Sequence, residues 1–302
     1  MIDDPDQDEA PPSGRIAAAT ARARREADNA RLWAEDARQR SPLVAFGFSF
    51  YERDRARYGG LLAGAVAFRL FLWLVPFVLF LVGLLGAVTD IEGSAPGELS
   101  DSLGLQGVLA ETLSDSARQR GWWIAIILGL FGTAWAGMGV VRAMRVSHSA
   151  AWGVPPDRAR NVLLASVLVS GTAIGLIVLT FVIGWIRHNT GVFGLIAALG
   201  MLFVYFLGWL LLSIWLPHGD VEIRALVPGA VLFALGIELL HLFTTYYLAD
   251  RAARAASVYG ALGTALVLLF WLYLLARLMV GSAVLNAELS ARRARALAAR
   301  ER

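Results

Sequence analysis

Four side chains stand where a bilayer would make them costly. Arg69, Glu238, His241 and Arg277 all fall inside long apolar runs. A charge in hydrocarbon is kept only if it is paired, reaches the interface or lines a wet cavity. Arg69 lies eight residues past Leu61, which is about 12 Å of helix. Arg277 lies eight residues before Leu285, at a matching depth from the same side. Glu238 is twelve residues past Leu226, near mid-span, and His241 follows one helical turn later on the same face. Two chemistries suit this set. One is structural: a buried ion pair, or arginines reaching out to headgroups. The other is a polar cavity, open to the cytoplasm, that binds an anionic group such as a lipid phosphate. Glu-x-x-His is also a metal or proton-relay spacing, but it has no second copy here, so no metal is expected.

Other constellations are weaker. His218-Gly219-Asp220-x-Glu222 is the best soluble cluster, and it suits a charged turn as well as a metal site. His148, His188 and His218 fall between apolar runs and are expected to be solvated. There is no P-loop, so no transport powered by ATP hydrolysis in this chain is expected. There is no cysteine, which excludes disulfides, thiolate metal sites and cysteine nucleophiles. No catalytic residue and no cofactor are assigned, and the chain is not expected to be an enzyme.

The elements that must carry these residues are membrane spans. Of 302 residues, 57% are hydrophobic, and the mean hydropathy is +0.60. Soluble domains sit at about 45–50% apolar. The excess is gathered into six runs near 61–88, 122–146, 161–186, 192–216, 226–248 and 259–285. Each can cross about 30 Å of hydrocarbon. The expected fold is therefore all-α, a polytopic membrane protein with six transmembrane helices. Pro76 falls within the first run, where a kink is expected. Gly60-x-x-x-Gly64 is read as a site of close helix contact.

Orientation follows from arginine, which supplies every basic residue. With the N-terminus inside, 20 arginines fall on the cytoplasmic side and 5 outside. This places both termini in the cytoplasm. The acidic opening, with Asp3, Asp4, Asp6, Asp8 and Glu9, is the reverse of a secretory signal. Three regions result. Residues 1–57 hold a disordered start, a charged helix and an interfacial helix beginning at Ser41-Pro42. Residues 58–289 hold the six spans. Residues 290–302 form a basic tail. The expected partners are the bilayer and its anionic lipids, with homo-oligomerisation left open and no nucleic acid.

Three segments in order resemble one family. They are GGLLAGAVAFRLFLWLVPFVLFLVGLLG with Pro76, LPHGDVEIRALVPGA with Pro217, Arg224, Pro228 and Gly229, and YGALGTALVLLFWLYLLARLMVGSAVLNAEL. From Tyr58 to Leu289 the chain resembles the YihY/virulence factor BrkB family of bacterial inner-membrane proteins, once called ribonuclease BN-like. The family's acidic residue near the end of the last span falls at Val284 here. The resemblance implies a multi-pass protein of the bacterial cytoplasmic membrane without an established substrate. Three function classes follow: a transporter or exporter of a lipid or small solute, a membrane scaffold, and a ribonuclease. The first is favoured by the buried charges. A scaffold would depend instead on residues 1–40.

Overall fold

The computed structural model describes residues 18–22, 24–25, 40–92, 122–155, 171 and 194–302. The third run, 161–186, and the connection 93–121 lie outside the described residues, apart from Gly171. The chain divides into two units, Met1–Glu52 and Arg53–Arg302.

Among the described residues the secondary structure is all helical. Helix α1 spans Pro42–Ala56, α2 Gly59–Glu92, α3 Trp122–Trp152, α4 Gly194–Trp215, α5 Val227–Phe243 and α6 Ala249–Arg300. Helix α1 begins at the expected Ser41-Pro42 boundary. Proline suits this first position because its missing N–H would have no partner there. A 3₁₀ turn, Ile223–Ala225, leads into α5, and a π turn, Thr244–Leu248, joins α5 to α6. Among the described residues, four helical stretches are long and apolar enough to cross a membrane: Gly59–Leu84, Trp122–Trp152, Ile223–Leu248 and Ser257–Arg300. The apolar stretch Leu199–Trp215 in α4 is shorter.

Helix α2 packs along α3, α4 along α5, and α6 touches α2, α3 and α5. The α2–α3 seam is made by glycine. A Cβ on Gly83 would stand 2.6 Å from the Ile126 nitrogen, and one on Gly129 would overlap the Phe80 backbone. The two main chains therefore meet directly, as small residues allow in lipid. The expected Gly60-x-x-x-Gly64 contact is not where this happens, because a Cβ on Gly64 meets nothing within 4 Å. Helix α2 runs unbroken through Pro76, whose ring faces Gly132 across the seam. Proline withdraws one N–H from the helix ladder there.

Two positive φ values shape the helix ends. Tyr58 (φ 55°) turns the chain from α1 into α2. Gly260 (φ 58°, ψ −138°) divides α6 into two helical segments, a conformation that costs glycine little. The deepest part of the bundle lies on α6 from Val280 to Glu288, where Val280, Ala283, Val284 and Ala287 are at most 2% exposed.

Candidate functional site

A cavity of about 590 Å³ lies among α2, α3, α4, α5 and α6. Pockets of about 300–1,000 Å³ are the size that holds small-molecule ligands. Six aromatic rings stand in its aliphatic wall: Trp73, Tyr205, Trp209, Trp215, Phe233 and Trp271. Trp209 is stacked on Phe233 at 4.1 Å between centroids and donates from Nε1 to Ser282 Oγ at 2.8 Å. An indole so placed offers a broad apolar face with its one polar atom already satisfied.

The polar wall is small. It consists chiefly of Arg145, which is 6% exposed, together with His241 and Thr244. Thr244 Oγ1 donates to the Leu240 carbonyl (2.7 Å) and accepts from Trp271 Nε1 (2.9 Å). It belongs to the π turn, a departure from α-helix that often marks functional sites.

Of the four residues singled out by depth, His241 lines this cavity. Arg69, Glu238 and Arg277 are not among its lining residues. They do lie on α2, α5 and α6, and α6 packs on both other helices. Yet no hydrogen bond or salt bridge joins these four to one another among the described residues. The Arg69 side chain runs past Gly139, with Cδ 3.3 Å from where a Cβ there would stand. Glu238 is half-buried and forms no salt bridge among the described residues. Arg277 has a different carboxylate. Its Nη1 and Nη2 donate to Oδ1 and Oδ2 of Asp54, each at 3.1 Å.

That pair belongs to a polar cluster at the end of the bundle where α1 ends, α3 ends and α6 becomes arginine-rich. Glu288, 4% exposed, accepts from Arg53 Nη1 (3.2 Å), Arg292 Nε (3.0 Å) and Arg295 Nη2 (3.3 Å). Arg53 Nε also donates to the Ala151 carbonyl (3.4 Å). Nearby, Asn286 completes the start of α5: its Oδ1 accepts from Gly229 N–H (2.6 Å) and its Nδ2 donates to the Leu226 carbonyl (3.1 Å). Residue 226 offers no side-chain cap of its own, so a neighbouring helix supplies one.

Sequence reasoning did not pick out Asp54 and Glu288. Asp54 is the single acid within Arg53–Arg57, and a lone acid in a basic run is a signal for pairing. Glu288 sits one helical turn beyond Val284, on the same face of α6. Val284 is itself buried at 1% exposure, so the carboxylate stands one turn nearer the arginine-rich end.

The histidines need one correction. His148 is not in a loop. It lies in α3, is 2% exposed, donates from Nδ1 to the Met144 carbonyl (3.0 Å) and has its ring 6.1 Å from Trp209. Helix α3 continues six residues past the apolar run, which carries His148 into the core. His218 does lie in a turn, beside Gly219 (φ 69°), and donates from Nδ1 to the Leu216 carbonyl (2.7 Å).

Long apolar helices meeting through glycine mark a membrane protein. The family model for virulence factor BrkB matches residues 50–302, and the chain belongs to that family. No curated protein and no solved structure matches the chain.

Proposed function

We propose that this protein is a carrier of a lipid or another small amphiphilic solute in the bacterial cytoplasmic membrane. The observation that supports this reading is the cavity of about 590 Å³ with aromatic walls. Its wall suits an apolar body, and buried Arg145 suits an anionic group on the same molecule. The protein acts as a binding and translocating device, not as an enzyme. Six spans with both termini in the cytoplasm accompany this reading. Four described stretches are long and apolar enough to span, the runs 192–216 and 161–186 are the two further spans of this reading by sequence, and the arginine distribution favours the orientation.

Gly208 gives the test. It lines the cavity, and a Cβ added to it meets nothing within 4 Å. Gly208→Trp should therefore fill the cavity without disturbing its walls. Protein is reconstituted into liposomes with a fluorescent phospholipid in both leaflets, and an impermeant quencher is added outside. The wild type is expected to expose the inner-leaflet pool, and Gly208→Trp to lose most of that activity. Equal rates in the two proteins, or no lipid movement with either, would overturn the lipid-carrier reading.

A further inference from the structure

Two neighbouring residues of opposite charge, Arg53 and Asp54, lie in the last turn of α1. Each finds its opposite on α6: Arg53 pairs with Glu288 and Asp54 with Arg277. The two partners are eleven residues apart, about 16 Å along the helix. Arg53 also donates to the carbonyl of Ala151 at the end of α3. One turn of α1 is thus tied to α3 once and to α6 twice.

Helices α3 and α6 are two walls of the cavity. Met144 and Arg145 line it from α3, and Leu275 and Met279 line it from α6 on either side of Arg277. Asp54 is 8% exposed, so its carboxylate cannot let go of Arg277 without leaving a charge in a largely buried place; Glu288, 4% exposed, would keep Arg292 and Arg295 of its own helix and lose only its tie to α1. The turn after α1 is shaped to the same contact. A Cβ on Gly59 would overlap the Asp54 carboxylate, so glycine leaves that carboxylate room to reach Arg277.

We infer that Arg53 and Asp54 form a double ionic clasp that holds the α1 end of the cavity shut, and that opening there requires its release. This rests on the carrier reading for its purpose, but not for its test. With the clasp made, α3 and α6 cannot separate at this end. Once it is released, the two walls part and water reaches the apolar interior. The bistability comes from the carboxylates: each is either buried against its arginine, or released and hydrated.

The natural chain has no cysteine, so a single introduced thiol reports alone. Met144→Cys places it in the cavity wall at a position 2% exposed. An impermeant maleimide is applied to sealed inverted vesicles and, separately, to spheroplasts. With the clasp intact, labelling is slow from both sides. Asp54→Asn or Glu288→Gln should raise the rate roughly tenfold or more, from one side only, as a closed population shifts to open. The exchange Asp54→Arg with Arg277→Asp should return labelling to the slow rate. Leu297→Cys, 60% exposed on α6, should label alike in every background, which controls for protein amount and reagent, while two-sided labelling of Met144→Cys would mean unfolding and overturn the opening. Unchanged labelling in the single variants, or no recovery in the exchange, would overturn the clasp. A cavity that opens as expected in a protein that moves no lipid would remove the carrier reading and leave the clasp standing.

Discussion

The two sides of this bundle are built on opposite principles. Where α2 meets α3, glycine brings backbone against backbone, and nothing the size of a methyl group fits between Gly129 and Phe80. Where α4 meets α5, contact is made by large rings, Trp209 against Phe233, and a cavity of about 590 Å³ remains beside them. In lipid, helices gain nothing by hiding apolar surface from water, because the tails are as apolar as leucine. Association rests on dispersion and on polar contacts. A glycine seam takes the first route and leaves little freedom. The ring-lined side gives up packing, a loss that filling by a ligand would recover. The comparison marks α2–α3 as the frame and α4–α5–α6 as the part with room to act.

The largest effect is expected at the seam. Gly129→Leu should separate α2 from α3, because the obstruction is main chain and cannot rotate away. Ordinary overpacking costs about 1–3 kcal/mol, and a backbone overlap exceeds it. Loss of the monodisperse peak on size exclusion in detergent is the expected result. A well-behaved Gly129→Leu protein would mean that the seam is looser than the comparison requires.

A smaller loss is expected where α5 is seated on α6. Asn286→Ala leaves the Gly229 N–H without its partner in a buried site and removes one of two donors from the Leu226 carbonyl, which keeps the Ala230 N–H. An unsatisfied buried group costs about 1–3 kcal/mol, so thermal unfolding in detergent should begin several degrees lower, with the protein still folded. Asn286→Asp should do less harm at Gly229, because a carboxylate oxygen can still accept that N–H. If both substitutions leave the melting curve unmoved, the α5 side owes nothing to its polar seat.

Much of this frame was legible in hydropathy alone. The runs near 122–146, 192–216 and 226–248 each became one helix because apolar length is itself the signal. Charges in spans were legible as something to be explained, and α2, α5 and α6 do carry Arg69, Glu238 and Arg277. The partners were not legible. Arg277 is met by Asp54 from a helix that sequence marked as interfacial, and no periodicity announces which carboxylate crosses more than 200 residues of chain to reach it. His148 was misplaced for a related reason. Hydropathy ends where the polar residues begin, but the hydrogen-bond ladder of α3 continues to Trp152, and the serine hydroxyls there are satisfied inside the helix: Ser147 and Ser149 donate to Ala143 and Arg145 carbonyls. The cavity was the least legible of all. Its wall draws on five helices, and each contributing residue looks, in sequence, like ordinary packing.

The smallest effect on stability sharpens the comparison most. Gly208 and Gly129 are both glycines in the middle of apolar helices, indistinguishable by composition. A Cβ at Gly129 has no room, while at Gly208 it meets open space. Gly208→Ala should therefore be neutral or stabilising by up to about 1 kcal/mol, because alanine is the better helix former. Gly208→Trp, which reaches further into the cavity, should melt close to wild type, and above it only insofar as new ring contacts replace empty volume. Melting curves of Gly208→Trp and Gly129→Leu, measured side by side in one detergent, give the contrast directly. A fall at Gly208 comparable to that at Gly129 would mean that the ring-lined wall has no space to offer a ligand. A bulky side chain tolerated at 208 and refused at 129 is what a rigid seam beside a fillable cavity requires.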